Sequence, residues 1–297
     1  MKVRVVTFAL CVLAAAVYAD DLRLISWNLR DANPHSKAKF VADTAREQKA
    51  DIVAFQAVNV TPYNLILDLT EAFGKGWDYR VTKSAVGPKQ LAIFWNTKTV
   101  KLKTTKVPNA GAYEETAIQV NEKVNLPAQV AYFQKGMYDF FLLNVDLIRG
   151  WEGNEIKLQQ VKVLSQWVST KKKALSGTEN DFVVAGSFHF SFPGEKVDDT
   201  LMNNPASEIL SGQNLLIYTM KEVWVKDPTV FSYVGSWVDD YRLLDGFALS
   251  KPAYRHYVKG SSQVLRVDKK FKDLDSYEDD VSSHLPVIIK FKTNFED

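Results

Sequence analysis

The chain reads FVVAGSFH at residues 182–189, where four apolar residues are followed by a short, more polar stretch. The apolar half, residues 182–185, predicts a buried β-strand because it is short, continuous and rich in valine. In layered α/β proteins, ligand sites gather among the residues that follow such strands. Residues 182–189 therefore predict a core strand, and they mark Ser187 and His189 as candidate site residues.

Four other segments lie at strand ends in the same way, and a fifth begins a predicted strand. In chain order, the four are SWN (26–28), FQAV (55–58), LNVDL (143–147) and SSHLP (282–286), and the segment that begins a strand is RLLDG (242–246).

Amphipathic helices are predicted between these strands, over residues 36–50, 62–73 and 155–172. Strands and helices are mixed along the whole chain, and no Pro/Gly/Ser-rich linker or repeat of fixed period interrupts them. This pattern is typical of one layered α/β domain, which we expect to span residues 20–297.

Two segments near the C-terminus carry further expectations. Residues 254–258 are predicted to form a strand. The acidic residues between positions 273 and 280 are interpreted as a solvated loop. The alternative for that loop, a calcium site, lacks the glycine and the ligand spacing of known calcium loops.

Residues 1–19 have the features of a secretory signal, because Lys2 and Arg4 precede an apolar run that is too short for a bilayer span. The full chain has 37 basic and 35 acidic residues, so the loss of Lys2 and Arg4 leaves 35 of each. A neutral mature chain lacks the broad positive field of a non-specific nucleic-acid binder. Cys11, the only cysteine, leaves with the signal. We therefore expect a secreted protein without disulfides, membrane span or thiol nucleophile.

The six segments, in this order and spacing, resemble the motifs of the endonuclease/exonuclease/phosphatase superfamily, the deoxyribonuclease I-like proteins. The resemblance extends from Leu22 to Phe291. It implies a four-layer α/β sandwich, with two mixed sheets packed face to face and helices outside. Active members of this superfamily cleave phosphodiesters or phosphomonoesters with a divalent metal, usually magnesium, which polarises the phosphate.

Three residues match the family's site residues. Asn28 stands at the position of the family's Trp/Tyr-Asn residue. Asp245 and His284 match an aspartate and a histidine that form a hydrogen-bonded pair in the family. The resemblance therefore implies a retained Asp245–His284 pair, which is either functional or a hydrogen-bonded remnant of the scaffold.

Five positions depart from the family pattern. Ala57 replaces the glutamate that is the principal metal ligand, and Ser283 replaces a further acid of the metal region. Asp146 replaces a histidine. Ser187 and His189 replace the acid that orients the nucleophile and the amide that holds the phosphate. Because single losses of this kind cost about 10²–10⁴-fold in rate, the combination predicts a protein without useful phosphodiester cleavage.

Two functions remain open at this point. One is a secreted, catalytically inactive nuclease-like protein that acts by binding an extracellular ligand or protein and needs no cofactor. The other is a divergent phosphoesterase whose rewired site, Asp146, His189, Asp245 and His284, binds a transition metal better than magnesium. In either case, we expect one cleft to be lined by Asn28, Ala57, Asp146, Ser187, His189, Asp245 and His284.

We predict that the mature protein begins near Asp20 and contains no disulfide, because Val17-Tyr18-Ala19 forms a suitable cleavage site and Cys11 precedes it. Intact-mass measurement of the protein from the medium of expressing cells tests this. A mass that retains residues 1–19 would contradict it.

Overall fold

The molecule is described by a computed structural model at most positions of the chain. The described residues are 21–30, 34–60, 64–82, 89–103, 118–121, 124–126, 128–148, 154–175, 180–189, 196–197, 200–201, 216–235 and 240–295. The predicted signal, residues 1–19, and the predicted first mature residue, Asp20, lie outside these ranges.

The described residues form eighteen β-strands, most of them short. In chain order, the strands are β1 (Leu22–Asn28), β2 (Ile52–Asn59), β3 (Trp77–Val81), β4 (Lys89–Asn96), β5 (Lys101–Leu102), β6 (Ile118–Asn121), β7 (Val124–Leu126), β8 (Ala128–Lys135), β9 (Tyr138–Asp146), β10 (Phe182–Ser187), β11 (Lys196–Val197), β12 (Thr200–Leu201), β13 (Ile217–Tyr218), β14 (Tyr233–Gly235), β15 (Asp240–Arg242), β16 (Asp245–Leu249), β17 (Gln263–Val264) and β18 (Val287–Phe291).

Six α-helices and one 3₁₀ turn lie in the same described ranges. The helices are α1 (Pro34–Glu47), α2 (Leu65–Phe73), α3 (Asn154–Ala174), α4 (Met220–Lys226), α5 (Lys251–His256) and α6 (Leu274–Asp280), and the 3₁₀ turn spans Val267–Lys270. None of these helices is both long and apolar enough to cross a bilayer.

Two six-stranded sheets form the centre of the fold. Their strand orders are β17-β18-β1-β2-β4-β3 and β13-β16-β10-β9-β8-β5. Each sheet has one parallel pair at its centre, β1 with β2 and β9 with β10, and antiparallel strands on both sides. Helices α1 and α3 connect the strands of these two pairs, as parallel neighbours require a crossover.

The alternation of side chains along the strands builds separate packing layers. On β2, Ile52 and Ala54 belong to the core between the sheets, whereas Val53 and Phe55 belong to the layer beneath α1 and α2. Successive residues of a strand point to opposite faces, so a strand that is buried on both sides is apolar throughout. The predicted fold class, an α/β sandwich of two mixed sheets with helices outside, is confirmed.

The expected strand at residues 254–258 is wrong, because helix α5 covers most of this segment. Ser250 caps the helix by accepting a hydrogen bond from the backbone N–H of Ala253, and Pro252 lies in its first turn. Both residues are start signals of a helix, and they outweigh the β-propensity of the tyrosines that follow.

The expected acidic loop is wrong as well, because its residues form α6. Asp273 caps this helix by accepting a hydrogen bond of 2.8 Å from the backbone N–H of Ser276. Tyr277 anchors the helix, since its buried ring lies in the core and its hydroxyl donates to the carbonyl of His284. The acidic residues therefore lie on a short capped helix.

A largely buried ion pair joins the two sheets at the end of the sandwich that lies opposite the carboxyl ends of the parallel strands. Lys135, at the end of β8, lies 2.8 Å from a carboxylate oxygen of Asp51, and its ammonium also donates to the carbonyl of Asp21. The two side chains are only 11% and 5% exposed. Removing one partner of such a pair leaves an uncompensated charge in the interior.

We predict that Lys135→Met lowers the free energy of unfolding by about 3 kcal/mol, because Asp51 then lacks its counter-ion. Urea denaturation measures this change. Lys39→Met is the matched control, since Lys39 pairs with Asp43 at 2.7 Å on the exposed face of α1 and is 81% exposed. Equal losses in both variants would contradict a structural role for the buried pair.

Candidate active site

The carboxyl ends of the central strands bring the predicted site residues together. Asn28 ends β1, while Asp146 and Ser187 end the parallel neighbours β9 and β10 and face each other in register. Asp245 pairs with Ser187 across the antiparallel neighbour β16. These residues lie at one end of the sandwich, because the side chain of Asn28 in the first sheet donates a 2.9 Å hydrogen bond to Ser187 in the second.

The predicted Asp245–His284 pair is present as a hydrogen bond. Nδ1 of His284 lies 2.8 Å from Oδ2 of Asp245, and both side chains are fully buried. Because an ionised carboxylate only accepts hydrogen bonds, Nδ1 is the protonated nitrogen of this ring. Its other nitrogen, Nε2, is buried and has no hydrogen-bond partner among the described residues.

Two serines donate further hydrogen bonds to the Asp245 carboxylate. Ser187 donates to Oδ1, and Ser232 donates to Oδ2 at 2.7 Å. Burial by itself raises the pKa of Asp245, but the charge of His284 and the hydrogen bonds from His284, Ser187 and Ser232 hold this pKa below its usual range. The carboxylate is therefore a satisfied, buried anion.

The backbone of His284 is fixed by three other residues. Trp27 and Tyr277 donate to its carbonyl oxygen at 3.2 and 2.7 Å, and its N–H donates to Ser282. Ser282 in turn donates to the carbonyl of Asn28. The SSHLP segment is thus tied to β1, and the imidazole has little freedom to leave Asp245.

Two of the departing residues, Asp146 and His189, form a second carboxylate–histidine pair. Nε2 of His189 lies 3.0 Å from Oδ1 of Asp146, whose side chain is 24% exposed. Burial lowers the pKa of His189, and the hydrogen bond that its ring donates to Asp146 opposes this shift. The backbone carbonyl of His189 accepts from Lys157 on α3. The ring of His189 stands nearly perpendicular to that of His284, with 5.7 Å between the ring centres.

Two residues at this end of the sheets have an unusual backbone conformation. Ala57 and His189 have φ angles of 52° and 50°, in the left-handed region that side chains other than glycine rarely adopt. Ala57 lies where the register of β2 against β4 shifts between Phe55 and Val58. Such a conformation costs about 1 kcal/mol. Ala57 therefore has an energetically unfavourable backbone conformation although its side chain is only a methyl group.

Gly186, in the AGSFH segment, is required for steric reasons. A Cβ atom at Gly186 would lie 1.9 Å from the carbonyl oxygen of Val145, on the neighbouring strand. Only glycine allows this approach of β10 to β9. On the other side of β10, the register with β16 places Ser187 opposite Asp245.

Sequence reasoning missed several residues of the site. Gln56 donates to Asn144 at 2.7 Å, and Asn144 donates to the carbonyl of Phe55 at 2.9 Å, so buried amides bridge the two sheets directly behind the site. Both residues were visible within the quoted segments, as polar residues inside apolar strands. Ser232 lies outside every motif, and no sequence signal distinguished it.

The site residues do not fit magnesium. A hard cation requires oxygen ligands, and Ala57 offers none, while both oxygens of Asp245 are engaged by other side chains. The four residues of the alternative metal site form two separate pairs. In the part of the chain that the structure describes, no three His, Cys, Asp or Glu side chains are arranged to hold a metal ion.

No protein-family model and no curated protein sequence matches this chain. Solved structures do match it. A mannosyl-6-phosphatase from Bacteroides thetaiotaomicron has a TM-score of 0.61 and 13% identity, with 90% of this chain and 98% of that chain covered. The human Nocturnin catalytic domain with bound sulfate has a TM-score of 0.60 and 14% identity, covering 91% and 94%. Truncated Caenorhabditis elegans TDP2 has a TM-score of 0.58 and 16% identity, covering 92% and 98%.

A Bacteroides thetaiotaomicron protein described as an endonuclease/exonuclease/phosphatase family member is similar to the same degree, with a TM-score of 0.61 and 14% identity over 91% of this chain and 94% of that chain. The chain therefore has the fold of the endonuclease/exonuclease/phosphatase superfamily, as its six segments predicted.

We predict that Ser187→Asp, which restores the family's acid, destabilises the protein at pH 7. The new carboxylate would lie against Asp245 and could not donate to it, so we expect a loss of about 3 kcal/mol in the free energy of unfolding. Two adjacent carboxylates raise the pKa of one of them. The loss should therefore shrink as the pH falls towards about 5, where one acid binds a proton.

Ser187→Asn is the matched control, because it keeps a hydrogen-bond donor at similar size without a charge. We expect it to cost about 1 kcal/mol. Urea denaturation at the two pH values compares the variants, and an equal, pH-independent loss in both would refute the electrostatic explanation.

Proposed function

We propose that this protein is a secreted, catalytically inactive protein with the nuclease/phosphatase fold, and that it acts by binding an extracellular ligand or protein. The observation that carries the proposal is Ala57, which occupies the bulged, left-handed position of β2 where the family pattern has its metal-binding glutamate. An alanine cannot coordinate a cation.

The surroundings of Asp245 support the proposal. A carboxylate that also serves a metal ion or an attacking water needs an oxygen that is free of protein donors. Here, Ser187 fills the oxygen that His284 and Ser232 leave. Ser187 also accepts from Asn28, so Ser187 links two of the three retained residues, Asn28 and Asp245, to each other. The polar groups of the site therefore bond to one another and stabilise the fold.

The position of His189 supports it further. Its ring stands edge-on to His284, in the region where the family pattern has a phosphate-binding amide. Both imidazoles and Asn28 are buried. A substrate phosphate would have to displace the His189 ring, which Asp146 holds by a hydrogen bond.

A divergent phosphoesterase is the second candidate, and the intact Asp245–His284 hydrogen bond favours it. Proteins of this fold include a mannosyl-6-phosphatase and the sulfate-bound Nocturnin domain, so phosphoester substrates are the class to test. Proton transfer by one histidine, however, leaves the charge of the phosphate unscreened when no metal is bound.

We predict background activity of the purified protein with magnesium on p-nitrophenyl phosphate, bis(p-nitrophenyl) phosphate and supercoiled plasmid. The quintuple variant Ala57→Glu, Asp146→His, Ser187→Asp, His189→Asn and Ser283→Asp should gain magnesium-dependent turnover on one of them. Magnesium bound by the glutamate that Ala57→Glu introduces would neutralise the repulsion that Ser187→Asp creates alone.

The matched control carries Ala57→Gln in the same quintuple background, since glutamine has the size of glutamate without its charge. It should stay at background. Robust magnesium-dependent cleavage by the unmodified protein, abolished by His284→Ala, would overturn the proposal in favour of the second candidate.

A further inference from the structure

Asn59, at the end of β2, differs from the other asparagines near the site. The side-chain amides of Asn28 and Asn144 donate hydrogen bonds to Ser187 and to the carbonyl of Phe55. Within the described ranges, the side-chain amide of Asn59 makes no hydrogen bond, and Asn59 is only half-buried. Because a polar group without a protein partner is normally hydrated, this amide reaches solvent.

Asn59 also begins the tripeptide Asn59-Val60-Thr61, which is an acceptor tripeptide for N-linked glycosylation. No other Asn-X-Ser or Asn-X-Thr tripeptide occurs in the chain. Thr61 lies outside the described residues, but the nitrogen that is modified in this reaction belongs to Asn59. The sequence pattern and the unbonded amide therefore select the same asparagine.

We infer that Asn59 carries an N-linked oligosaccharide. The inference rests on the secretion part of the proposed function, because such acceptors are used in secreted proteins. In the transfer, the anomeric carbon of the first sugar, supplied on a lipid diphosphate, bonds to Nδ2 of Asn59 while its bond to the diphosphate oxygen breaks. One amide proton leaves with the diphosphate, and no group is oxidised or reduced.

The strand pattern places the oligosaccharide at the end of the sandwich that carries the candidate site. Val58 and Val60 pack in the layer beneath α1 and α2. Asn59, between them, therefore projects from the opposite face of β2, which faces the second sheet. Gln56, three residues earlier, pairs with Asn28 of the site. A bulky, hydrated group at Asn59 lies close to this site, where it hinders the approach of a large polymer such as DNA.

Pro62 follows the acceptor tripeptide and affects how completely it is used. A residue before proline is restricted to extended backbone conformations, so Pro62 limits those of Thr61 in the nascent chain. The Asn59 amide and the Thr61 hydroxyl then approach each other less often in a local turn. We therefore expect a mixture of glycosylated and unmodified chains.

The experiment expresses the full chain in insect or mammalian cells and measures the intact mass of the protein, in the medium and in the cells, before and after treatment with a glycan-releasing amidase. We expect a heavier form that the amidase removes, and peptide mass spectrometry should locate the resulting conversion of amide to acid at position 59. Asn59→Gln and Thr61→Ala should abolish the heavier form, whereas Pro62→Ala should increase its share.

Asn64→Gln is the matched control, because Asn64 is an exposed asparagine near Asn59 that lies outside the acceptor tripeptide. Its side chain makes no capping hydrogen bond to α2, so the substitution removes no contact at that helix end. The variant should keep the heavier form in the same share as the unmodified sequence.

A second form of the chain carries a cleavable signal of known function ahead of Met1, so the acceptor is tested whether or not residues 1–19 direct secretion. Only unmodified protein from this second form would overturn the inference, as would an oligosaccharide that persists in Asn59→Gln. Glycosylated protein from the second form, with the native chain absent from the medium, would support the inference and refute the secretion part of the proposed function. The two failures are therefore distinguishable.

Discussion

The negative charge of Asp245 is the constraint around which this end of the molecule is arranged. A carboxylate in the interior is tolerated only when hydrogen bonds and an opposite charge replace its water. Here, the donors are Ser187 on the neighbouring strand, Ser232 in a loop and His284 ahead of the last strand. Satisfying one charge therefore fixes three segments that are far apart in the sequence.

The constraint extends to the other sheet through short links. Ser187 accepts from Asn28, and His284 is held by Trp27 through its carbonyl. Behind them, Gln56 and Asn144 bridge the two sheets with buried amides. These polar contacts between the sheets fix their relative position at this end, where apolar packing alone would allow them to slide.

The sequence predicted the central strands well and the peripheral elements poorly. Strands such as β2, β9 and β10 are buried on both faces, so their apolar runs are unambiguous. Residues 254–258 contain two tyrosines and a valine, which suit a strand, but the N-cap at Ser250 stabilises a helix instead. The two-residue strand β13 has no sequence pattern of its own, because it exists only through pairing with β16.

The sequence likewise predicted some features of the candidate site and not others. Motif order located the residues that lie at one end of the sandwich, since the carboxyl ends of the parallel strands of both sheets meet there. Sequence could not place the ring of His189 against His284, or choose Ser187 rather than water as the donor to Asp245. Both outcomes depend on side-chain packing between sheets. Ser232 illustrates the limit, because a single serine outside any motif completes the environment of the buried charge.

The left-handed turn at Ala57 has a consequence for the redesign of this chain. The bulge in β2 and the pairing that surrounds it form with only a methyl group at position 57, so they require no coordinating side chain there. The backbone conformation and the chemical group that projects from it are therefore separate choices in this chain. For protein engineers, position 57 is therefore a place to test new functional side chains on an existing backbone.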